Sequence, residues 1–244
     1  MCTVTLLRDQ KRLLLTFNRD EKRTRRPEVP PALSRDHEAA VSMLAPRDSE
    51  AGGLWIGVNS AGVVAALLNG YEPGDDPSAR DRVSRGAIIP KVLAAGDYFA
   101  AMKLLQNSFR PECFLSFTLL VATPLEGVQL QWNGRELTSK LLNGPSIMIS
   151  SSSWRREEVL HWRHGLFAEW IRLGSAFVDE LPSFHLMQIR GSEEWSPLME
   201  RQESATRSIT QVEISAGSAL MRYWPAPIRA GMIPSSATRL ALAR

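Results

Sequence analysis

A chain of 244 residues, 44% hydrophobic and 23% charged, is long enough to bury a real core as one large domain or two small ones. The formal charge of +3 is too slight to argue for nucleic acid, although the pI is near 9.1. Two cysteines make no disulfide framework, and no run approaches the ~18 apolar residues of a membrane span. Arg8, Asp9, Lys11 and Arg12 interrupt any signal-peptide core, so the expected setting is reducing and cytoplasmic.

Residues 3–8 and 13–18 read as a β-hairpin joined by the polar link Arg8 to Arg12. The hairpin brings Cys2 near Asn18 to Glu21. Alternation places Cys2, Val4 and Leu6 on one face of the first strand. In the second strand Thr16, Asn18 and Asp20 share a face, with Phe17 and Arg19 opposite. Asn18 and Asp20 are therefore expected to approach Cys2 together, and Arg19 only if the chain has left the strand. A small second residue permits removal of Met1, and Cys2 would then carry a thiol and a free α-amine. An α-amine titrates at roughly 7.7–8.0 and can act as a base at neutral pH.

Residues 22–50 carry many charges with Pro27, Pro30 and Pro31, and predict a long surface loop able to bring cations to an anionic substrate. Leu54–Val58 and Gly62–Asn69 predict a second hairpin, with Asn69 ending its strand before Gly70 and able to donate into a cleft. Helices are expected from Ser84 to about Ala95 and from Asp97 to Leu105, forming one outer layer. Residues 114–122, 127–132 and 146–150 predict strands of a second sheet, with an Asn133-Gly134 hairpin turn. Cys113, at a strand start, is expected to be buried and inert.

Residues 154–173 form the clearest helix, with Val159, Trp162, Leu166, Trp170 and Leu173 as its buried stripe. His161 and His164 are three residues apart, but no carboxylate pattern accompanies them and no metal site is expected. Strands follow at 206–214, 219–224 and 237–241. This order suits an α+β domain over 1–244, a four-layer αββα sandwich of two antiparallel sheets.

Several motifs in order carry a resemblance: Met1-Cys2, Asn18-Arg19-Asp20-Glu21, Arg26-Pro27, Gly52 to Asn59 and Ala65 to Asn69, then more weakly Ser84-Arg85-Gly86 and Ala205 to Ser208. The chain resembles the NRDE proteins, also called the transport and Golgi organisation protein 2 family, which are similar to N-terminal-nucleophile hydrolases. The resemblance implies a αββα sandwich with an N-terminal cysteine in a cleft. It further implies Cys2 as nucleophile, Asp20 orienting the Cys2 amine, Asn69 donating to the oxyanion, and Arg19 or Arg207 stabilising thiolate. A thiol pKa below the ordinary range is then expected. Asn18, Trp55 and Ser151 are expected on the substrate side. Ser150 to Ser153 stand where related amidases supply another asparagine, so a shorter hydroxyl arm would replace an amide.

The implied activity is hydrolysis of an amide or acyl bond of a small molecule, with no cofactor required. The rival implied by the same family is binding without turnover, with haem or an acyl-CoA or lipid as ligand. No C-x-x-C-H haem attachment motif and no Gly-rich phosphate loop is present in the sequence.

Overall fold

The computed structural model describes residues 2–9, 12–36, 41–75, 83–174, 181–215 and 217–243. The first hairpin is β1 (Cys2–Arg8) and β2 (Arg12–Lys22), followed by β3 (Val29–Asp36), β4 (Val41–Arg47), β5 (Ile56–Asn59) and β6 (Val64–Asn69). A 3-10 turn at Arg85–Ala87 leads into α1 (Ile88–Ala94), and Asp97 then caps α2 (Tyr98–Asn107) by accepting from Ala100 N–H at 2.8 Å. Ser84 makes no such side-chain cap. The chain continues through β7 (Phe117–Ala122), β8 (Gly127–Trp132), β9 (Leu137–Leu141), β10 (Ser146–Ser151) and α3 (Arg156–Arg172). It closes with β11 (Ser204–Ser215), β12 (Ser218–Pro225) and β13 (Ser236–Ala241).

The strands form two antiparallel sheets, a six-stranded one ordered β10-β1-β2-β11-β12-β13 and a seven-stranded one running from β3 to β9 in sequence order. Val4, Leu6, Leu15 and Phe17 of the first sheet meet Leu44, Ile56, Val64 and Leu120 of the second in a dry layer between them. Such burial is worth about 1.5–3 kcal/mol per large side chain. α1 and α2 lay Ile88, Val92, Ala101 and Leu105 on the outer face of the seven-stranded sheet. Phe167 and Trp170 of α3 pack with Phe184 over Leu7, Leu14 and Met148 on the outer face of the other. The result is the expected α+β sandwich of four layers.

Three expectations are corrected. Residues 22–50 are not one loop, because β3 and β4 pair within them. Pro30 and Pro31 are tolerated because β3 is an edge strand and its register shifts between Val29 and Ala32, where missing N–H donors cost nothing. The strands after α2 do not build a separate sheet: β7, β8 and β9 extend the β5–β6 hairpin, and only β10 crosses over to pair with β1. Cys113 is exposed and ends a 3-10 turn at Pro111–Cys113.

The buried stripe of α3 is also rotated from the expected one, to Val159, Arg163, Phe167 and Trp170, leaving Leu173 64% exposed. Trp162 is half-buried and meets Trp195 edge-on at 6.4 Å between centroids. The seat under the first half of the helix is polar, with Thr3, Asp20 and Ser150, and it takes an arginine rather than a tryptophan.

Candidate active site

The register of the first hairpin decides which side chains meet. Cys2 lies opposite Arg19, and Val4 opposite Phe17, so Arg19 shares the Cys2 face while still within β2. Asn18 and Asp20 fall on the other face, toward α3. The alternation read from sequence is correct in each strand. Its assignment of Asn18 and Asp20 to the Cys2 face is not, because alternation carries no register between strands.

A cavity of about 430 Å3 opens at this end of the sandwich. Cys2, Arg19, Asp20, Trp55 and Asn69 all line it, together with Glu21, Arg25, Asp48, Tyr71 and Arg85. Five of the eight residues expected at the site are therefore brought together. Asp20 reaches it although its side chain belongs to the helix-side face, at the place where β11 shifts register between Thr206 and Ser208.

The Cys2 thiol is half-buried, and the main-chain N–H of Asp20 faces its sulfur. Burial pushes the thiol above its ordinary pKa, outweighing the chain's terminal ammonium, the Asp20 N–H and the Arg19 charge. In the chain that still carries Met1 the sulfur thus rests as a thiol, which needs a base rather than an ion-pair partner; the depressed value is expected of Cys2 as the first residue. Asp20 accepts from the Thr206 hydroxyl at 2.7 Å, and its other oxygen lies 3.9 Å from Arg163 Nη1. Burial pushes the Asp20 carboxyl up, with Arg163 drawing it down.

Arg163 has no solvent exposure and sits behind Asp20. Nη1 donates to Thr3 Oγ1 at 2.7 Å and Ser150 Oγ at 2.9 Å; Nη2 donates to the Ser196 carbonyl at 2.9 Å and Nε to that of Trp195 at 2.8 Å. One guanidinium thus ties β1, β10, α3 and the 195–196 loop to the carboxylate.

Arg19 is held from several sides. It donates to Asp48 at 2.7 Å and Glu28 at 3.3 Å, lies 3.8 Å from Glu21, and stacks over Trp55 at 4.7 Å from the ring centroid. Arg25 donates to both oxygens of the same Asp48, at 2.8 and 2.9 Å. Burial alone would raise the Asp48 carboxyl, but Arg25, the Ala51 N–H and Arg19 overcome it and hold it well below the usual carboxylate range. A carboxyl depressed on folding contributes stability that is full above about pH 4 and lost as pH falls below it. Asp48→Asn is expected to lose about 2–4 kcal/mol at neutral pH. Urea titrations of both proteins should show the gap closing as the pH drops from about 4 toward 2.

Asn69 ends β6, and the Tyr71 hydroxyl lies within hydrogen-bond reach of its side chain. Gly70 between them donates to the Ser116 carbonyl at 2.8 Å, and a Cβ there would lie 2.1 Å from Ser116 Oγ. Only glycine lets the chain pass this close and still present Asn69 and Tyr71 to the cavity. Burial pushes the Tyr71 phenol far up, so it rests protonated.

Asn18, Ser151 and Arg207 do not line the cavity. Asn18 is fully buried and donates to the His185 and Pro197 carbonyls at 3.0 and 2.8 Å. Both its N–H donors are used, so its oxygen accepts from His185 Nδ1 at 2.7 Å, and His185 Nε2 then accepts from the Thr5 hydroxyl at 2.7 Å. Burial draws His185 down to about 3, so the ring is neutral and structural. Ser151 lies directly opposite Cys2 across β1 and β10, with a buried hydroxyl that has no partner among the described residues. Arg207 sits in the β11 register shift and donates to the Arg23 carbonyl at 3.4 Å.

Arg163 behind Asp20, and Tyr71 and Arg85 in the cavity wall, are not among the residues expected from the sequence. An arginine four residues from both Val159 and Phe167, inside an apolar stripe, was the signal available for the first.

Among solved structures, the chain is similar to the Caenorhabditis elegans ortholog of N-acylethanolamine-hydrolyzing acid amidase. That match has a TM-score of 0.61 and 13% identity, covering 86% of this chain and 92% of that one. It is also similar to a mutant of the conjugated bile acid hydrolase from Clostridium perfringens, with a TM-score of 0.53 and 9% identity over 99% of this chain and 92% of that one. A second variant of that hydrolase gives a TM-score of 0.53 and 10% identity over 98% and 92%. At these identities the likeness establishes the fold, which is N-terminal-nucleophile-hydrolase-like. No curated protein matches the sequence. A family model described as Transport and Golgi organisation 2 matches residues 1–216, and the chain belongs to that family.

Proposed function

We propose that this protein is an N-terminal cysteine-nucleophile hydrolase acting on an amide or acyl bond of a small molecule. The observation that carries this reading is the convergence of Cys2, Asp20 and Asn69 on one cavity of small-molecule size. With Met1 removed, the Cys2 α-amine is the base that a neutral thiol requires. It takes the thiol proton as the sulfur attacks the carbonyl carbon, and the C=O electron pair moves onto oxygen. Asn69 donates to that oxyanion. The C–N bond then breaks, the ammonium returns its proton to the departing nitrogen, and the acyl group remains on sulfur as a thioester. Water attacks the thioester and gives a proton to the amine, which passes it to the departing sulfur. The products are a carboxylic acid and an amine. Asp20 steadies the ammonium at each stage, and that charge in turn favours its carboxylate.

Asn69→Ala tests the scheme through an interaction made in the transition state. Amide turnover is expected to fall about 100- to 1,000-fold in kcat, with KM little changed. An unchanged kcat with a raised KM would instead make Asn69 a ligand-binding residue.

A second reading, the handling of haem or an acyl-CoA without turnover, draws on the partial burial of the thiol, which favours its neutral, less nucleophilic form. Under that reading Cys2→Ser alters ligand affinity or spectra, and no acyl adduct forms on the native protein.

A further inference from the structure

Among the described residues three arginines line the cavity, and two of them are already neutralised. Arg19 and Arg25 share Asp48, with Glu28 3.3 Å from Arg19 and Glu21 3.7 Å from Arg25. Arg85 differs. Its Nη1 donates to the Ser116 carbonyl at 2.9 Å, and among the described residues it has no carboxylate within the 4.0 Å of an ion pair. Asp75, whose charge it feels, is engaged by the Ser116 N–H at 3.0 Å and by the Ser116 hydroxyl. Arg85 lines the same cavity as Cys2 and Tyr71.

The backbone fixes this placement. Leu54 N–H donates to the Gly86 carbonyl at 3.0 Å, and a Cβ on Gly86 would come within 2.7 Å of Gly53 Cα. The interlocked glycines pin the Arg85 turn against the segment that carries Trp55. A half-buried guanidinium without a carboxylate partner among the described residues is costly, and its remaining N–H donors form a fork that matches a carboxylate.

We infer that Arg85 binds a carboxylate carried by the substrate, so that the cavity selects N-acyl amino acids over neutral amides. This deepens the hydrolase reading and rests on it for the scissile bond. The test uses full-length Cys2→Ala protein, which cannot turn over, and titration calorimetry with N-hexanoylglycine and its uncharged counterpart N-hexanoylglycinamide. The acid is expected to bind more tightly than the amide. Adding Arg85→Gln should weaken the acid about 10- to 100-fold and leave the amide within about twofold. Arg85→Lys should recover part of the loss, since it keeps the charge without the fork. Equal affinities for the two probes, equal loss of both, or binding of neither overturns the inference. The comparison of the two probes in protein retaining Arg85 stands even if the glutamine variant misfolds. Failure of the hydrolase reading is separate: it is seen in wild-type protein as absence of turnover and of an acyl adduct on Cys2.

Discussion

Replacing Arg163 by methionine is expected to cost about 3–5 kcal/mol of folding stability and to lower the melting temperature by roughly 10–15 °C. A hydrophobe of similar size can replace a buried ion pair at little cost when both charges go. Here only one goes. Asp20 keeps a carboxyl with no solvent exposure at its side chain, and Thr3, Ser150 and the Trp195 and Ser196 carbonyls each lose a donor. Arg163→Lys should fall between, because an ammonium cannot span β1, β10 and the 195–196 loop together. Thermal melts followed by circular dichroism read the series. A loss under about 1 kcal/mol for Arg163→Met would mean that Asp20 is neutral or solvated in the folded protein.

The second large effect belongs to Cys2. Cys2→Ser keeps the amine and nearly the same volume but removes the sulfur nucleophile, and turnover is expected to fall at least about 1,000-fold with stability unchanged. Cys113→Ser, at an exposed position, should leave turnover as it is. Because burial holds the Cys2 thiol protonated in protein that retains Met1, its alkylation there by iodoacetamide should be slow at neutral pH and rise only above the ordinary thiol range. Fast alkylation of Cys2 near pH 6 in that protein would instead reveal a preformed thiolate and make the amine unnecessary as base.

What the sequence disclosed and what it concealed follow from different physics. Alternation and Asn-Gly punctuation are local, so the β1–β2, β5–β6 and β8–β9 hairpins were legible from residues alone. Edge strands are less legible: β3 carries Pro30 and Pro31, which signal loop everywhere except at a sheet edge. Register and sheet membership are non-local. Hence Arg19 is opposite Cys2 although alternation favours Asn18 and Asp20, and β10, expected with β7 and β8 in the second sheet, pairs with β1 in the first. Motif order brings out Cys2, Asp20, Asn69 and Trp55, which line one cavity, whereas Arg85 and Tyr71 flank loops whose meeting with Cys2 no periodicity encodes. Arg163 was hidden by its helix. A long apolar-aromatic stripe drew Trp162 and Leu173 inward on paper, although the polar floor formed by Thr3 and Ser150 demanded a donor.

The central claim is that Cys2, as the first residue of the working protein, forms a thioester with its substrate. Intact-mass spectrometry tests it most directly, on wild-type and Cys2→Ala protein incubated with the p-nitrophenyl ester of a short fatty acid and quenched in acid. The expected result is wild-type protein lacking Met1 and gaining one acyl group, located on the Cys2 peptide and lost on standing in buffer, with no gain in Cys2→Ala. Active wild-type protein that retains Met1, or that acquires no acyl group on Cys2, would contradict it.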